Sequence, residues 1–98
     1  MRAIKISLNE IFDEIPKEKR EETRLSFEIS NRLDYLMQEK GLSKKQLADA
    51  IGKRPNEITR WLSGEHNFTI STLAMLSTFF GQSLIDIPHI TLNEKVPL

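Results

Sequence analysis

Apolar residues recur through the middle of the chain with a helical period, and turn residues stand where the period breaks. Leu25, Ile29, Leu33, Leu36 and Met37 form a stripe that predicts a long helix from Lys17 to Lys40, ended by Gly41. Ser43, with Gln46 three residues later, is a capping-box pattern that starts a second helix at Lys44, where Leu47, Ala48 and Ile51 share a face. Gly52 stands where that helix must stop, because a left-handed C-cap costs glycine almost nothing. The fixed φ of Pro55 suits a first helical turn, so a third helix starts at Arg54 or Pro55 and buries Ile58, Trp61 and Leu62. Thr69 caps a fourth helix, with Ile70, Leu73, Ala74, Leu76 and Phe80 on its apolar face, ending before Gly81. Ser83 is expected to cap a short fifth helix holding Leu84, Ile85 and Ile87, closed by Pro88.

The flanks are less regular. Ile4, Ile6 and Leu8 alternate, and then Leu8, Ile11, Phe12 and Ile15 take a helical spacing behind a second capping box, Ser7 with Glu10, until Pro16 interrupts. After Pro88 a weak alternation at Ile90 and Leu92 suits a tail or an edge strand. The chain therefore divides into an N-terminal extension (1–23), a helical domain (24–87) and a C-terminal tail (88–98). The charged run from Lys17 to Glu22 reads as a solvated helical face.

Composition changes this picture little. With 98 residues, 39% apolar and 29% charged, the chain fits one all-α domain with a modest core. No apolar run approaches the roughly 20 residues that span a bilayer, no signal peptide is visible, and a cytoplasmic location is expected. The absence of cysteine excludes disulfides, zinc ribbons and thiol catalysis. His66 and His89 are isolated, and neither a nucleophile elbow nor a glycine-rich phosphate loop occurs, so no enzyme, metal or cofactor is expected. Net charge is zero overall, but from Ser43 to Arg60 five basic residues face two acidic ones. That local excess favours docking of an anionic partner on one surface.

The two short helices around Gly52 resemble the helix-turn-helix of the lambda Cro/CI-like regulators, the XRE family, with Ala48, Gly52 and Ile58 at its diagnostic offsets. The resemblance runs from about Ile29 to Ile87 and implies a five-helix, lambda-repressor-like DNA-binding domain. It also implies that the N-terminal half of the third helix reads base edges, which places Arg54, Pro55, Asn56 and Arg60 against DNA. Asn56 could pair bidentately with adenine and Arg60 with guanine, while Pro55 offers only apolar contact to a thymine methyl. Alternatives stay open: a local cap for Asn56, and an exposed pair with Glu57 for Arg60. Glu57 is read as helix-stabilising rather than base-reading. Ser43, Lys44, Lys45 and Lys53 are the phosphate candidates on one side, with Ser63 and Asn67 on the other. Relatives often join the first and third helices through an Arg and Glu pair; here Met37 and Leu62 hold those positions, so apolar packing replaces the bridge.

Three accounts of function compete. A double-stranded DNA-binding autorepressor acting as a homodimer on a near-palindromic operator is the first, with Phe79, Phe80, Leu84 and Ile85 or the N-terminal extension as candidate interface. The second adds a toxin protein as partner, because the long leading helix and the run from Trp61 to Thr69 are similar to HigA-like antitoxins. On that account Ile4 to Ile15 grips the toxin, unless residues 1–23 cover the domain's own core or pair two subunits. The third is a protein-binding adaptor that no longer touches DNA, supported weakly by zero net charge and Pro55.

Overall fold

The computed structural model describes residues 15–88, in which four helices follow one another: α1 (Lys17–Lys40), α2 (Lys44–Ile51), α3 (Pro55–Trp61) and α4 (Ile70–Phe80). No strand occurs among the described residues. The expected features of Met1 to Glu14, including the Ser7 cap, and of the tail from His89 lie outside them.

Each boundary has a local cause. Pro16 leads into α1 with its carbonyl accepting from the N–H groups of Lys19 and Arg20 at 3.0 and 3.1 Å, and Gly41 closes the helix at φ 65°. At α2 the capping box is complete: the Ser43 hydroxyl accepts from the Gln46 N–H at 3.1 Å, and the Ser43 N–H donates to the Gln46 side chain at 2.8 Å. The helix stops at Gly52, φ 72°, where the N–H of Lys53 reaches back to the Ala48 carbonyl at 2.8 Å. A β-carbon there would meet no neighbour, so glycine is favoured by its backbone angle alone.

One core binds the helices together. Ile29, Leu33, Leu36 and Met37 of α1 meet Leu47 and Ala48 of α2, Ile58 and Trp61 of α3, and Leu76 and Phe80 of α4. Leu33, Leu36, Leu47, Ile58 and Leu76 are fully buried. Met37 lies in this core, and partly buried Leu62 packs against the cluster. A polar contact does join α1 to the end of α3, however, at a residue the periodicity gave no reason to single out. Buried Ser30 donates its hydroxyl proton to the Trp61 carbonyl at 2.6 Å and accepts from the Gly64 N–H at 3.1 Å. It thereby satisfies two backbone groups where α3 ends.

Several expectations are corrected. The five-helix count becomes four among the described residues, because 82–87 forms no helix. Only four residues separate Ser83 from Pro88, too few to repay helix nucleation, and two backbone groups at the start of the segment are taken by partners elsewhere. Arg32 of α1 donates to the Ser83 carbonyl at 3.1 Å, and the Leu84 N–H donates to the Ser77 hydroxyl at 3.1 Å. Leu84 and Phe80 are buried in the core, 4% and 3% exposed, so they are not free to form the dimer interface expected of them. Leu25 and Ile70, placed on buried stripes by their spacing, are 37% and 85% exposed because the first turns of α1 and α4 run beyond the core. Ala74 is exposed as well.

Candidate nucleic-acid interface

The third helix owes its position to its buried face and its availability to its other face. Ile58 and Trp61 anchor it in the core, and α2 and α3 form the principal helix-to-helix contact. An α-helix advances 100° per residue, so burying 58, 61 and 62 turns 56, 59, 60 and 63 outward. Pro55, Asn56, Thr59, Arg60 and Ser63 are all exposed. Arg54 precedes the helix with extended backbone, φ −99° and ψ 148°, and is exposed too.

Glu57 acts at the start of the helix. Its carboxylate accepts from the Arg54 N–H at 2.9 Å, which satisfies a first-turn donor and places negative charge near the positive end of the helix dipole. Among the described residues Arg60 makes no ion pair with Glu57, so the exposed pairing considered for it is not formed. The only sequence signal at Thr59 is its i+3 offset from Asn56, which places it on the same face. Its hydroxyl donates to the Pro55 carbonyl at 3.3 Å.

The six phosphate candidates divide into two groups. Ser43, Lys44 and Lys45 stand at the start of α2 and Lys53 in the turn, all exposed. Lys45 pairs with Asp49 one turn later at 3.2 Å, an exposed contact worth little against solvent. The Ser43 hydroxyl caps the helix as an acceptor and keeps its own proton for an anion. Ser63 and Asn67 lie at the far end of α3, in a different setting. The Ser63 hydroxyl donates to the Arg60 carbonyl at 2.7 Å and accepts from the Glu65 N–H at 3.1 Å. Asn67 lines a cleft of about 420 Å³ with Lys19, Glu22, Thr23, Ser26, Gly64 and Glu65. Two carboxylates there oppose an anion, so the basic side of the face is the start of α2 and the turn.

The loop after α3 is held by aromatic packing. The His66 ring meets Phe68 edge-on at 4.7 Å between centroids and lies 6.4 Å from Trp61, which is itself buried. Gly64, φ 87°, allows the close approach of Phe27: a β-carbon there would come within 3.0 Å of that ring. Burial, with a smaller contribution from the charge of Arg60, holds the His66 pKa below the ordinary histidine value. The neutral ring is therefore the form that suits the fold, and its contribution is complete above the ordinary pKa. Stability is expected to fall as pH drops through the ordinary value to the depressed one. Thermal unfolding of the protein and of its His66→Gln variant across pH 5 to 8 checks this: the gap should narrow on acidification.

Among the described residues no cluster of three or more His, Asp or Glu side chains could hold a metal ion, and no helix is long and apolar enough to cross a membrane. A family model described as helix-turn-helix matches residues 33–87. Searches of curated proteins and of solved structures return no match. The matched span exceeds half of the chain and takes in α2, α3 and α4 whole, so this protein belongs to the helix-turn-helix family and is an XRE-like DNA-binding regulator.

Proposed function

We propose that the protein is a sequence-specific repressor of transcription, acting on its own operon, that lays α3 in the major groove of double-stranded DNA. The observation that carries this reading is the undivided exposure of Pro55, Asn56, Thr59 and Arg60 on a helix whose opposite face is locked in the core. Asn56 and Arg60, one turn apart, read adenine and guanine edges; Arg54 and Pro55 sit at the helix start nearest the bases. Lys44, Lys45 and Lys53 with the Ser43 hydroxyl hold phosphates, whereas Ser63, whose hydroxyl proton goes to the Arg60 carbonyl, and Asn67, beside two carboxylates, are poorly placed to do so. Such contacts orient the protein on the duplex and carry most of its non-specific affinity.

One short helix touches few base pairs, so two copies bind half-sites about 34 Å apart on a near-palindrome. Exposed Phe79 and Ile85 remain candidates for pairing the two subunits. A toxin partner is a second reading, favoured by the exposure of Leu25 and Phe27 on the part of α1 that follows the N-terminal extension. Co-purification with the product of an adjoining reading frame tests it, and failure of the two products to associate would remove it.

Duplex binding at a series of salt concentrations tests the main reading. If each subunit neutralises about three to five phosphates, a dimer shows a log-log slope of about −5 to −9. An adaptor that had lost DNA would show no salt-dependent binding, and that outcome would refute the proposal.

A further inference from the structure

The outward face of α3 carries two parallel rows of side chains with different chemistry. In one, Asn56 and Arg60 keep an amide and a guanidinium that pair with nothing else among the described residues. In the other, Pro55 and Thr59 stand one turn apart, and Ser63 follows in the turn just past the helix; all three are exposed. In this second row the donor protons are already engaged. Proline lacks an N–H, the Thr59 hydroxyl donates to the Pro55 carbonyl at 3.3 Å, and the Ser63 hydroxyl donates to the Arg60 carbonyl at 2.7 Å. What the row presents to a ligand is the pyrrolidine ring and the γ-methyl of Thr59.

We propose that Thr59, with Pro55 beside it, is a specificity residue that reads the 5-methyl group of thymine, next to the bases read by Asn56 and Arg60. The inference rests on α3 lying in the major groove. There thymine differs from every other unmodified base by its methyl group, and an apolar side chain is the partner that group accepts. Removing one methyl from such a contact weakens binding about fourfold, from the transfer free energy of a buried CH₂ unit. While the hydroxyls stay bonded to main-chain carbonyls, a purine N7 or O6 facing the row goes unpaired, which turns the preference into discrimination.

Uracil isolates the contact, since it carries the hydrogen-bonding edge of thymine without the methyl. The full chain is first used to select duplexes from a randomised pool, and each thymine of the selected sequence is then replaced singly by deoxyuridine. At one thymine position per half-site the replacement should weaken binding about fourfold. Thr59→Ser, which keeps the hydroxyl and loses the methyl, should bind thymine and uracil duplexes alike; Thr59→Val, which keeps a methyl, should preserve the difference. Position 59 is exposed, so neither change threatens the fold, and unfolding curves verify that. Salt-dependent, selective binding with no thymine sensitive to loss of its methyl would overturn the thymine assignment alone. Failure to bind any duplex would overturn it together with the placement of α3.

Discussion

Ile58→Ala is expected to destabilise the domain by about 2–5 kcal/mol, the range for truncating a fully buried aliphatic side chain. Ile58 has no exposed surface and sits where α1, α2 and α4 converge on the third helix. Its loss removes transfer free energy and leaves a cavity that its neighbours fill only in part, because Leu33, Leu36, Leu47 and Leu76 are themselves fixed by burial. Against a total stability of about 5–15 kcal/mol for an ordinary domain, such a loss leaves a substantial unfolded population. Urea unfolding checks it: the midpoint should fall with little change in slope. Thr59→Ala, one residue further on and solvent-facing, should change stability by less than about 0.5 kcal/mol. Comparable effects at the two positions would mean that α3 is not seated by its 58–61–62 face.

Arg60→Ala is the second large effect, and it acts on recognition rather than on folding. Loss of a bidentate contact to guanine should cost about 1–3 kcal/mol, or about 5- to 150-fold, against the preferred sequence while leaving other sequences almost unaffected. Lys44→Ala should behave differently. It removes one phosphate contact, weakens every duplex nearly alike and reduces the magnitude of the salt slope by about one. Competition of specific against non-specific duplex for the two variants separates the roles. Matching losses of selectivity would show that reading and anchoring are not divided between α3 and the start of α2.

The parts of this fold that were legible in the sequence are those fixed by local chemistry. The Ser43 and Gln46 pair announces the start of α2, Gly52 its end, and Pro55 the start of α3, because each acts on backbone groups within four residues of itself. Outward exposure of Asn56 and Arg60 follows from the same register once Ile58 and Trp61 are assigned inward. The misreadings all depend on distant partners. Nothing near Ser83 reveals that Arg32, 51 residues earlier, will take its carbonyl and that Leu84 will be drawn into the core instead of forming a helical turn. Leu25 and Ile70 obey a helical period but extend past the surface that could bury them, and a periodic stripe says nothing of where its partner ends. Ser30 was overlooked because a serine inside a helix has no signature, while its two partners lie 31 and 34 residues away. Thr59 has no signature for a different reason: the bond of its hydroxyl to the Pro55 carbonyl is a matter of rotamer and cannot be inferred from spacing.

When the exposed face of α3 meets base edges in the major groove, guanine N7 is the atom that reports it. Methylating that atom in a selected duplex and separating bound from unbound DNA shows which guanines must stay bare. At least one guanine per half-site is expected whose methylation blocks the native protein yet leaves Arg60→Ala binding unchanged, since the variant no longer uses that edge. Interference confined to adenine N3 in the minor groove, or a guanine pattern identical for the two proteins, would contradict it.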